Sequence, residues 1–114
     1  MRALIEQEDC AITSVNLAEA IDVCSRVHRM AQKDVDAAVA PLLAQTIRVL
    51  APGIEDARRA AAIRVSHYRP RTCELSIADC FLLAAPDSGD SLCTVDPPVL
   101  RVADELGIET FPLS

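Results

Sequence analysis

The sequence predicts an α/β fold in which a parallel sheet is covered by helices. Three observations carry that expectation. Short β-rich runs alternate with longer segments of helical periodicity, the pattern of βαβ units. Every run of strand character except the first follows a helical segment. The 114 residues, 51% hydrophobic and 25% charged, suit one globular domain with a single core and exclude a repeat array or two catalytic domains.

Taken in order, Met1 to Glu8 reads as the remnant of a helix, with Leu4 and Ile5 apolar and Glu6 and Glu8 polar. Cys10 to Val15 is β-branched and mostly apolar, hence a strand. Asn16 to Met30 places Leu17, Ala20, Ile21, Cys24 and Val27 at helical spacing. Lys33 to Gln45 is helical and expected to kink or split at Pro41. Thr46 to Leu50 is a strand closed by Ala51-Pro52-Gly53. Ile54 to Tyr68 is an Ala-rich amphipathic helix with arginines on its polar face, broken by Arg69-Pro70-Arg71-Thr72. Leu75 to Ala85 is the most apolar helix, ended by Pro86. Ser91 to Thr94 is a short strand, and Asp96 to Leu106 a helix opened by Pro97-Pro98 and stopped by Gly107. Ile108 to Leu113 is the last strand.

Composition narrows the function classes. Only Tyr68, Phe81 and Phe111 are aromatic, which leaves a core of Ala, Leu, Val and Ile and weighs against base stacking on aromatic platforms. Seventeen acids against eleven Lys and Arg give a net charge of −6, unsuited to non-specific nucleic-acid binding. Local charge differs: Arg58, Arg59, Arg64, Arg69 and Arg71 fall in a stretch without acids, a solvated helix face and loop by the simplest reading. The five cysteines form no CxxC pair and stand in no zinc pattern with His28 or His67, so they count as small hydrophobes. Their odd number, the acidic N-terminus and the lack of a ~18-residue apolar run predict a soluble cytoplasmic domain with no membrane span.

Three carboxylates share one position. Glu19, Asp79 and Asp96 are each read at the beginning of a helix that follows a strand. In open α/β sheets helix N-termini gather at the carboxyl edge of the strands, where ligands bind. Acids delivered there repel one another, and a hard divalent cation such as Mg²⁺ or Mn²⁺ relieves that repulsion. Helix capping explains the same spacing: Asn16-x-x-Glu19 and Ser76-x-x-Asp79 have the form of capping boxes, and Asp96 before two prolines that of an N-cap. Asp79 sits among Ile77, Ala78, Cys80, Phe81, Leu82 and Leu83, where an acid is costly unless paired or bound to metal.

The segment Leu75-Ser76-Ile77-Ala78-Asp79-Cys80-Phe81-Leu82-Leu83-Ala84 resembles the LSxADCxxLA segment of PIN-domain proteins, in particular VapC-type toxins of toxin–antitoxin pairs. Ser14-Val15-Asn16-Leu17-Ala18-Glu19 is similar to the family's conserved-glutamate helix start, and Leu92-Cys93-Thr94-Val95-Asp96 to its closing T-x-D segment. The resemblance implies a single PIN-like domain over residues 1–114: a three-layer α/β/α fold acting as a Mg²⁺- or Mn²⁺-dependent ribonuclease. Glu19, Asp79 and Asp96 would hold one or two metals that orient water for attack on an RNA phosphodiester. It also implies a homodimer held inactive by a cognate antitoxin, with the arginine cluster available to the RNA backbone. In the family pattern a central strand ending in Asp precedes the first helix. Met1 falls already within that helix, so an N-terminal truncation lacking one strand and one metal-binding acid is expected. Three readings follow: an active ribonuclease, an inactive PIN remnant that only dimerises or binds antitoxin, and an unrelated α/β domain whose acids are all caps.

Overall fold

Thr13 decides where the first strand stops. The computed structural model describes residues 9–111, and the expected helix remnant at Met1 to Glu8 lies outside them. Strand β1 runs over Cys10–Thr13. Thr13 keeps an extended backbone, and its Oγ1 accepts the Asn16 N–H at 3.0 Å. A threonine in that role satisfies one of the orphan donors of a new helix. Helix α1 therefore occupies Ser14–Asp22 and begins two residues before the apolar periodicity suggested. The strand expected to reach Val15 ends at Thr13 for the same reason.

The remaining elements follow the expected alternation with shifted bounds. α1 passes into a π-helical turn, Val23–Val27, and the chain leaves it through Arg29 at φ 56°, with the Met30 N–H returning to the Cys24 carbonyl at 3.0 Å. The helix expected to continue to Met30 thus ends in a widened turn and a left-handed residue. Helix α2, Gln32–Gln45, is one element with Pro41 inside it, so the proline does not split it. Strand β2, Ile47–Leu50, pairs in parallel with β1, with Cys10 opposite Ile47 and Thr13 opposite Leu50.

A second compact unit begins at Pro52. Its helix α3, Ile54–His67, starts where the Asp56 carboxylate accepts the Gly53 N–H at 2.8 Å. The break after it is a tight turn: Arg69 and Cys73 exchange both backbone hydrogen bonds at 2.9 Å, and Arg71 takes φ 70°. Helix α4 covers Ile77–Ala84. Strand β3, Ser91–Leu92, is joined through helix α5, Pro97–Glu105, to strand β4, Glu109–Thr110. Gly107 at φ 72° ends α5 as expected. β3 and β4 are parallel, with Leu92 opposite Thr110. The expected parallel pairing is present, in two small two-stranded sheets. The last strand was expected to reach Leu113; 112–114 lie outside the described residues.

The core of this second unit is aliphatic, as the aromatic count requires. Leu75, Leu83, Val99 and Val102 are essentially inaccessible, together with Ala60, Cys80, Ala84 and Ala103. Burying each Leu or Val contributes about 1.5–3 kcal/mol, so α4 is held through its apolar face. Among the described residues no helix is long and apolar enough to cross a membrane. Truncating Leu83→Ala is expected to cost about 2–5 kcal/mol by opening a cavity between α4 and its neighbours, measured by chemical denaturation.

Candidate metal centre

Asp79 is carried on the first turn of α4, and its backbone surroundings fix it. Ser76 is the N-cap: its Oγ accepts the Asp79 N–H at 3.0 Å, while the Asp79 Oδ2 accepts the Ser76 N–H at 2.9 Å. This is the reciprocal capping box anticipated from Ser76-x-x-Asp79. Capping occupies one carboxylate oxygen. The other, Oδ1, takes no hydrogen bond from the described residues. The acid thus has a structural task and an oxygen to spare.

Asp96 differs. It precedes Pro97 and Pro98, which lack N–H groups, and its side chain makes no capping hydrogen bond. Asp96 holds the N-cap position as expected, but its carboxylate makes no capping bond; Pro98 has removed the N–H at the second helical position, one of the two donors that an N-cap side chain serves. Its own N–H donates to Thr94 Oγ1 at 3.2 Å, which orients the turn. Partial loss of hydration, and then the nearby Asp79 carboxylate, push the Asp96 carboxyl above the ordinary range. The structure therefore brings Asp79 and Asp96 within electrostatic reach of each other, from two helix starts of one unit.

Glu19 belongs to the first unit and stands in the second turn of α1. The Asn16-x-x-Glu19 capping box does not form as expected, because Thr13 is the N-cap and Asn16 occupies the third helical position. Asn16 and Thr13 are both buried, and their side chains are hydrogen-bonded to each other. The sequence signal for that pair was Thr-x-x-Asn, hidden while Thr13 counted as mid-strand. Among the described residues no three His, Cys, Asp or Glu side chains gather as a metal ion would require.

The arginine cluster is partly structural. Arg59 donates to the Ala84 carbonyl at 3.1 Å, the last residue of α4, where a cation also complements the helix dipole. Arg64 Nε donates to the Leu75 carbonyl at 2.9 Å, just before the α4 N-cap. Arg58 pairs with Glu55 at 3.0 Å on the exposed face. Two of the five arginines thus hold the helix that bears Asp79, which corrects the reading of the cluster as only a solvated face. Cys80, beside Asp79, is fully buried; burial, and secondarily the Asp79 charge, raise its thiol, so it is a core group and no nucleophile.

The PIN domain family profile matches residues 1–103. The chain belongs to the PIN domain family. No curated relative and no solved structure matched significantly. PIN domains are nuclease folds that act on RNA and in general depend on a divalent metal, so membership points to a nuclease-type function. Two described donors, the Asp79 and Asp96 carboxylates, are of the chemical kind such an ion takes, while no described group of three is placed around one point. Mg²⁺ is commonly held by one or two carboxylates, with water and substrate phosphate completing its shell. Asp79 and Asp96 would be the two carboxylates of such a shell.

The coupling between the two acids has a direct test. In the metal-free chain, Asp79→Asn is expected to lower the Asp96 pKa, followed by NMR titration of the side-chain carboxyl. The sign is fixed by the raised folded-state value: ionising Asp96 costs stability as pH rises from the unfolded carboxyl range through the folded pKa. Asp96→Asn should therefore stabilise the metal-free fold slightly at pH 7 and not below pH ~3, by under about 0.5 kcal/mol because solvent screens the site.

Proposed function

We propose that this chain is a Mg²⁺- or Mn²⁺-dependent PIN-type endoribonuclease with Glu19, Asp79 and Asp96 as its metal ligands. The observation that carries the reading is the Asp79–Asp96 pair: two carboxylates on adjacent helix starts, each with oxygen not used for capping. A divalent ion bound there supplies Lewis-acid polarisation of a phosphodiester and activation of water for in-line attack. Asp79 contributes an oxygen whose direction the Ser76 N–H sets. Asp96 contributes a carboxylate that makes no capping hydrogen bond; lost hydration first and the Asp79 charge second raise its pKa, and a cation would offset the second. Glu19 is the proposed third ligand. Arg58, largely exposed and paired with Glu55 among the described residues, is available to an RNA phosphate.

The segment Leu75 to Ala84 supports a finer assignment, to the VapC-type toxins of toxin–antitoxin pairs. In that assignment the chain works in the cytoplasm, forms a homodimer and is inhibited by a cognate antitoxin. The contrary reading is an inactive PIN remnant kept for dimerisation or antitoxin binding.

Purified protein is expected to cleave single-stranded RNA with Mn²⁺ and to stop with EDTA. Asp79→Asn and Asp96→Asn should each lower kcat/KM by about 10²-fold or more, since each removes a ligand charge. The stabilities of the alanine variants should diverge: Asp79→Ala loses the reciprocal capping bond to the Ser76 N–H, about 0.5–1 kcal/mol, whereas Asp96→Ala loses no capping bond. Unchanged cleavage by Asp79→Asn would leave it a cap alone. Absence of cleavage from a folded chain that still binds an antitoxin would favour the remnant.

A further inference from the structure

The peptide group joining Leu75 to Ser76 is hydrogen-bonded at both ends. Its carbonyl accepts the Arg64 Nε–H at 2.9 Å, and its N–H donates to Asp79 Oδ2 at 2.9 Å. The arginine is itself held, with its guanidinium carbon 4.7 Å from the centroid of the Tyr68 ring. Leu75, on the same peptide, is 1% exposed, so the side chain anchors the plane from the core. A cation and a carboxylate therefore face each other across one rigid, planar amide.

We propose that Arg64 is a positioning residue for the metal centre: it acts through the Leu75–Ser76 peptide to orient the Asp79 carboxylate toward a divalent cation. The inference rests on the reading of Asp79 as a metal ligand. A charged donor on the carbonyl polarises the amide and strengthens the N–H at its other end. It also fixes the tilt of the plane, and with it the direction from which Asp79 Oδ2 is held. Oδ1 is then presented in one direction before any ion arrives. A direct Arg64–Asp79 ion pair would take up the carboxylate oxygens and compete with the cation. The intervening peptide leaves Oδ1 open, and among the described residues the two side chains form no ion pair. Lysine cannot substitute fully, because a point ammonium does not lie flat on Tyr68 while donating sideways to a carbonyl.

The test compares the native full chain with Arg64→Met, Arg64→Lys, Asp79→Asn and the double variant Arg64→Met/Asp79→Asn. Val65→Ala, at an 82% exposed neighbour on the same helix, is the control. Two measurements avoid activity altogether: Mn²⁺ affinity by calorimetry without RNA, and hydrogen exchange of the Ser76 amide in the metal-free protein. Arg64→Met is expected to weaken Mn²⁺ binding about tenfold and to speed Ser76 exchange by a similar factor. Arg64→Lys should fall between it and the native chain, and carries the comparison if Arg64→Met does not fold. The double variant should bind Mn²⁺ no more weakly than Asp79→Asn alone, the non-additivity of two residues acting through one oxygen. Native Mn²⁺ affinity in a folded Arg64 variant, with Asp79→Asn weakened, would overturn the inference and leave the metal reading intact. Native affinity in Asp79→Asn as well would overturn both.

Discussion

Helix α4 is short, eight residues, and most of its inward face is aliphatic, so packing alone leaves its ends undefined. Two arginines of α3 supply that definition. Arg64 holds the carbonyl just ahead of the N-cap, and Arg59 holds the last carbonyl of the helix. Ser76 and Asp79 then close the first turn between them. The position of the acid follows from this sequence of bonds: core packing sets the helix axis, the arginines set its ends, and the cap sets the carboxylate. Net charge is a poor guide to such an arrangement. In a chain with a charge of −6, these cations serve backbone carbonyls inside their own unit.

The same constraint explains why the two acids of the second unit behave differently. Asp79 is bound into the backbone of its helix, and its carboxylate is shared between a structural bond and an open oxygen. Asp96 has no such bond, and the neighbouring charge is felt in its ionisation. One acid is fixed and the other is destabilised when ionised, by lost hydration first and by its neighbour's charge second; the pair is the candidate metal site. The family to which the chain belongs gives that site its nuclease context.

Much of this was legible from residues alone, and what was not has physical causes. The alternation of elements, the Ser76–Asp79 box and the Pro97-to-Gly107 helix are local signals, written in adjacent residues. The start of α1 is not legible in the apolar periodicity, which begins at Leu17, because the helix begins where Thr13 Oγ1 finds an N–H. Pro41 invited a break that the hydrogen bonds of the rest of α2 override. The widened turn at Val23–Val27 has no composition signature. The arginines were the largest gap. A run of cations on an amphipathic helix looks the same whether it faces water or reaches carbonyls eleven and twenty-five residues away, as Arg64 and Arg59 do.

The two prolines after Asp96 also bear on how such a chain changes over generations. They set the opening of α5 by their own ring geometry, so that opening does not depend on the acid before it. On the proposed metal role, Asp79 is under two selective pressures at once, folding and chemistry, whereas the Asp96 side chain is under chemistry alone. If selection for cleavage lapses, Asp96 is the acid that drift removes first, in lineages that still fold and still present the rest of their surface. The identity of the residue before Pro97-Pro98 is accordingly a readable record of whether a relative of this chain has been kept as a catalyst or as a scaffold.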